Sequence, residues 1–120
     1  MSTASRIGGK GLKNEDFLFF WVALKEALAP ACSGLVEVRN EPGYWAVDTP
    51  SGRPFLKLRI QKKHVGLYLL PLYYHPGALD PALRPHLNGK VTLRFSDPQL
   101  VPTEALARQA ETCLALVGLY

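Results

Sequence analysis

A two-layer α+β domain with a mostly antiparallel sheet is the architecture expected from three patterns in this chain. One apolar stripe at helical spacing comes first, at Phe17, Phe20, Trp21, Leu24 and Leu28. Short alternating segments separated by turn residues fill the middle, and a second helical stripe closes the chain. Strands joined by short turns pair antiparallel, and their one-sided alternation calls for helices on one face and water on the other. The expected order is helix, four strands, short helix, strand, helix. That makes a five-stranded sheet with the N- and C-terminal helices packed on one face.

Residues 1–13 read as a flexible tail and residues 14–120 as one domain. Asn14 is placed to cap a helix opening with Glu15 and Asp16, whose charges suit a helix N-terminus. Leu18, Phe19 and Val22 lie off the buried stripe. The first turns are thus apolar nearly all round, which points to a protein contact, with Phe19 and Val22 as a homodimer seam. Pro30 and Gly34 end the helix. The first two strands are expected at 35–39 and 44–48, divided by Asn40-Glu41-Pro42-Gly43. The third, 55–60, alternates cleanly and turns through Gln61-Lys62-Lys63-His64 into 65–70. Pairing Ile60 with Val65 sets Leu56, Leu58, Leu67 and Leu69 inward and Lys57 opposite Tyr68 on the outer face. Residues 72–77 are irregular. Asp80 then caps a short helix running to about Leu87, with Pro81 at its first position and Asn88-Gly89 at its end. Residues 91–95 form the last strand. Thr103 caps the final helix, which carries Leu106, Ala110, Cys113 and Val117 on one stripe and a Glu104–Arg108 pair.

Composition bounds the function. The chain of 120 residues is 48% hydrophobic and 20% charged, with net charge +4 and pI about 9.2. That is a globular, mildly basic composition. Two distant cysteines, Cys32 and Cys113, do not make a disulfide scaffold and read as reduced thiols. No apolar run approaches the roughly 20 residues of a membrane span, and the first residues lack an apolar signal core, so the expectation is a cytoplasmic protein without a membrane partner. His64, His75 and His86 show no i,i+4 pair, and no Cys-x-x-Cys occurs, which argues against structural zinc. Ser33-Gly34 and Ser51-Gly52 are turn elements and not a nucleophile elbow. Gly8-Gly9-Lys10-Gly11 lacks the spacing and the preceding strand of a phosphate loop. No catalytic set is legible; Tyr73, Tyr74 and His75 are the loop group to inspect for binding or chemistry. The outer sheet face gathers Arg39, Phe55, Lys57, Arg59, Tyr68, Lys90 and Arg94. Such a face binds single-stranded nucleic acid by charge and stacking, or packs its aromatics under long cationic stems in water.

The segment Lys62-Lys63-His64-Val65-Gly66-Leu67-Tyr68-Leu69-Leu70-Pro71, followed by Gly89-Lys90-Val91-Thr92-Leu93-Arg94-Phe95, a proline-bearing loop and a helix, resembles the YdhG-like family of bacterial domains of unknown function. The likeness covers residues 55–115 in order and spacing. It departs where the family carries a Gly-Met-Pro turn, since this chain has Glu41-Pro42-Gly43-Tyr44-Trp45. The resemblance implies a two-layer, frataxin-like fold and a non-enzymatic binding module with an unknown protein or small ligand as partner. For some members it implies intracellular iron delivery. Iron would be the only cofactor, on Glu15, Asp16 and Glu37, but hard iron sites need clustered carboxylates or histidines, and the acids here are sparse in a basic chain. Three readings stay open: a binding module of unassigned ligand, an iron chaperone, and a single-strand nucleic-acid binder.

Overall fold

In the computed structural model, residues 14–120 are described; the tail at 1–13 and the side chains of Asn14 and Glu15 lie outside the described part. Helix α1 (Asn14–Leu28) leads into a short 3₁₀ turn, Ala29–Cys32. Strands β1 (Val36–Glu41), β2 (Tyr44–Asp48), β3 (Pro54–Ile60) and β4 (Val65–Leu69) follow. A four-residue helix α2 (Pro71–Tyr74) and 3₁₀ turns at Pro76–Ala78 and Pro81–His86 come next. The chain then forms β5 (Leu87–Asn88), β6 (Thr92–Phe95), a 3₁₀ turn at Pro98–Leu100 and helix α3 (Thr103–Leu114). The sheet is antiparallel throughout, in the order β1-β2-β3-β4-β6-β5.

The sheet therefore has six strands and not five. The added strand is Leu87–Asn88, where a helix end was expected. Pro85 holds the preceding segment in 3₁₀ form, and the chain emerges extended enough for Leu87 to pair with Leu93.

The hairpin register is the one the alternation implied. Ile60 pairs with Val65 and Lys57 with Tyr68. The inner face carries Trp45, Val47, Leu56, Leu58, Val65, Leu67, Leu69, Leu93 and Phe95, all buried. Against it lies the α1 stripe of Phe17, Phe20, Trp21, Leu24 and Leu28, joined by Leu106, Ala110 and Cys113 of α3 in one core. The Trp21 indole N–H donates to the Leu58 carbonyl at 2.9 Å, which ties α1 to a central strand. Phe19, 72% exposed, and Val22 face away from this core.

Gln109 is buried on α3 and fixes the loop before β5. Its Oε1 accepts from the Asp80 N–H and its Nε2 donates to the Ala78 carbonyl. Asp80 caps the Pro81–His86 turn by accepting from the Ala82 N–H, as its place before Pro81 implied. Arg108 pairs with Asp80 at 3.1 Å and not with Glu104. Thr103 lies inside the last helix and makes no capping bond, since Pro102 occupies the cap position. Val117 packs on the core from a turn beyond the helix end.

Two irregularities decide which side chains face outward. In β1, Glu37 pairs with Val47 and Arg39 with Ala46, leaving Val38 as an extra residue. Glu37 and Arg39 thus sit on opposite faces although they are two apart. In β3, Leu56 pairs with Val47 and Pro54 with Asp48, leaving Phe55 without a partner on β2.

Candidate nucleic-acid interface

The outer face is built on β2, β3 and β4. Tyr44 and Arg59 are register partners, and Lys57 lies between Ala46 and Tyr68. The Arg39 guanidinium lies 4.3 Å from the centre of the Tyr44 ring and that of Arg59 4.7 Å from it. The Lys57 ammonium is 5.8 Å from the centre of Tyr68. Arg94 is opposite Gly66, which in turn faces Arg59, and the side chains of Gln61 and His64 cover Gly66 between these two arginines. The β1–β2 turn makes this arrangement possible. Pro42 and Gly43 form it, and Gly43 holds φ +87°, where a side chain would be strained and a Cβ would stand 3.3 Å from Ile60 Cδ1.

A second group adjoins it. Thr49 is buried, and its hydroxyl accepts from the Arg53 N–H at 3.0 Å, which closes the β2–β3 loop and presents Arg53. The Arg53 guanidinium donates to the Tyr74 hydroxyl at 3.0 Å and lies 5.7 Å from the ring centres of both Tyr74 and Tyr120. Tyr74 stacks on Tyr120, with centroids 5.6 Å apart and planes 16° from parallel. Tyr73 meets Tyr74 edge-on, and Lys90 sits 5.4 Å from the Tyr73 ring. The Tyr120 hydroxyl donates to the Pro54 carbonyl. Burial raises its pKa, and the nearby Cys113, Asp48 and Tyr68 add to the rise while Arg53 opposes it. Tyr120 thereby ties the loop tyrosines to the start of β3 at Pro54.

Each of the five tyrosines in the chain lies against a lysine or arginine. The nearby cations Arg39, Arg53, Lys57, Arg59, Lys90 and Arg94 outnumber the carboxylates Glu41 and Asp48. Arg39 is held by Glu41 at 2.9 Å, a bond that raises its pKa. Rings and guanidinium planes of this kind are stacking surfaces for bases, and the charges suit phosphates.

Of the expected site residues, Arg39, Lys57, Arg59, Tyr68 and Arg94 share the outer face. Phe55 does not: it is fully buried in the core. The β3 irregularity interrupts the alternation that had assigned it outward. Lys90 is not on the sheet face either, but in the turn between β5 and β6, against Tyr73. Tyr73 and Tyr74 are about half exposed. The buried Nε2 of His75 finds no hydrogen-bond partner, so no neighbouring group orients this ring as an acid or base. Tyr44, Arg53 and Tyr120 were not singled out by the sequence. Tyr44 could have been, because it starts the strand that pairs with Arg59.

Among the described residues, no group of three or more His, Cys, Asp or Glu is placed to hold a metal ion. Glu37, on the inner side of β1, accepts from the Trp45 indole at 2.7 Å and from Asn40 at 3.2 Å. Asn40 also accepts from Lys25 of α1 at 2.8 Å. These bonds tie β1 to α1. Among the described residues no helix is long and apolar enough to cross a membrane.

No protein-family model, curated protein or solved structure matches this chain.

Proposed function

We propose that this domain is a non-enzymatic module that binds single-stranded nucleic acid along the outer sheet face and the adjoining tyrosines. The observation that carries the reading is the pairing of every tyrosine with a cation, from Tyr44 on β2 through Tyr68 to Tyr120, Tyr74 and Tyr73. Bases stack on the rings and guanidinium planes, and phosphates lie over Lys57, Arg59 and Arg94. The resemblance of residues 55–115 to YdhG-like domains also implies a binding module, without naming a ligand.

The test is fluorescence anisotropy with a labelled oligo-dT over a salt series. Binding is expected to weaken steeply with salt, with a log–log slope of about −0.7 per phosphate contacted. Salt-independent binding, or none at low salt, ends this reading.

A second reading concerns α1. Phe19 is the most exposed large apolar side chain among the described residues, and Val22 lies one turn further along the helix. We infer a homodimer seam there, which sedimentation at high concentration tests. A monomer throughout rejects it.

A further inference from the structure

Beyond Tyr73, at the α2 end of the tyrosine surface, lies a hollow of about 310 Å³ whose lining includes Leu72, Tyr73, Leu79, Arg84, Leu87 and Lys90. Its floor is apolar, with Leu72 and Leu79 buried and Leu87 packed on the core. Its charged residues are both cations, Arg84 from the Pro81–His86 turn and Lys90 from the β5–β6 turn. Gly89, at φ +83° and with open space around its Cα, lets the chain reverse just before Lys90. Two other hollows among the described residues differ in one respect. Those beside α3 contain Arg108 together with Glu104 or Glu111, and Arg108 is already paired with Asp80. The Tyr73 hollow has no carboxylate in its lining. Its volume is at the low end of small-ligand sites, about 300–1,000 Å³.

An apolar floor, one aromatic wall and two unopposed cations fit a ligand with a flat ring and an attached anion. We propose that this hollow seats a nucleotide, its base against Tyr73 and the leucine floor and its phosphate between Arg84 and Lys90. The inference deepens the nucleic-acid reading, because the hollow adjoins the tyrosine surface through Tyr73. The phosphate is either that of a strand end or that of a free nucleotide, and the two sources are separable. A strand end carries a terminal phosphate with more charge than an internal one, and two cations at one end of the surface favour it.

The experiment follows backbone amides by NMR on the full chain during titration with thymidine, with thymidine monophosphate, and with oligo-dT with and without a terminal phosphate. Thymidine monophosphate is expected to shift the amides of Leu72, Tyr73, Gly89 and Lys90 and to bind about tenfold or more tightly than thymidine. Arg84→Ala, at an exposed position outside the sheet face, is expected to remove that advantage while unphosphorylated oligo-dT still shifts Tyr44 and Tyr68. Arg84→Lys restores part of it, which a merely misfolded variant does not. If the terminal phosphate also tightens oligo-dT binding, the seat is for a strand end; if only the free nucleotide shows the effect, it is a mononucleotide seat. If no phosphate-bearing ligand shifts the hollow's amides, the nucleotide seat is overturned, and oligo-dT shifts at Tyr44 and Tyr68 then show separately whether the sheet-face reading survives.

Discussion

The Arg59 guanidinium lies 4.7 Å from the centre of the Tyr44 ring, its register partner on the neighbouring strand. Arg39 approaches the same ring, so one tyrosine serves two cations on a face that water reaches. At exposed sites such contacts add only modestly to stability.

Tyr44→Ala is expected to weaken oligo-dT binding by about 1–3 kcal/mol, the usual loss for one stacked base. Arg59→Ala should lower affinity and reduce the salt slope by about 0.7, because it removes one phosphate contact. The exposed Arg59 side chain contributes modestly to folding through its contact with Tyr44, so urea unfolding of that variant is expected to stay within about 1 kcal/mol of the parent.

Phe55→Ala should behave in the opposite way. Phe55 is fully buried, and its truncation is expected to cost about 3–5 kcal/mol in urea unfolding. A loss below about 0.5 kcal/mol would return Phe55 to the surface, where alternation alone had placed it.

His64 in the β3–β4 turn has its pKa held below 6.5, first by burial and second by the positive charge of Arg94. The ring is therefore neutral at pH 7. As pH falls through 6.5 the unfolded chain takes up a proton before the folded one does, so this group's contribution to stability declines below that pH. Arg94→Ala is expected to raise the imidazole midpoint in an NMR titration, but only part of the way to 6.5, because burial remains. An unchanged midpoint would separate Arg94 from His64.

Cys32 and Cys113 are buried, and burial pushes both thiols up to about 11 from 9.0, with Glu111 adding to the rise at Cys32. Between pH 9 and 11 the unfolded thiols lose protons that the folded ones keep, so stability falls as pH rises through this window. Both thiols are expected to resist a disulfide reagent at pH 8 until urea unfolds the chain. Rapid reaction of the native protein would contradict their burial.

The β3–β4 hairpin was legible because Leu56, Leu58 and Ile60 alternate without interruption into a short polar turn, and that pattern admits one register. The α1 stripe was legible for the same reason at helical period. Phe55 and Val38 were not, since an extra residue in a ladder is defined by the partner strand and leaves no mark in local alternation. Strand β5 was hidden because two residues carry no periodicity. Tyr120 joined the candidate site through contacts with Arg53, Pro54 and Tyr74, far away in sequence. Arg108 chose Asp80 over Glu104 because Gln109 brings the Asp80 loop onto α3.

The extra residue at Val38 has a consequence for assembly. Among the described residues β1 is an edge strand, and a regular edge strand offers its unpaired N–H and C=O groups as a template for another sheet. The kink at Val38 breaks that template midway, and Glu37, Arg39 and Glu41 place charges of both signs along it. At the other border, β5 is only two residues long. Both borders of the sheet are thus poor substrates for strand addition, which directs recognition to the broad face between them and guards the domain against edge-to-edge aggregation.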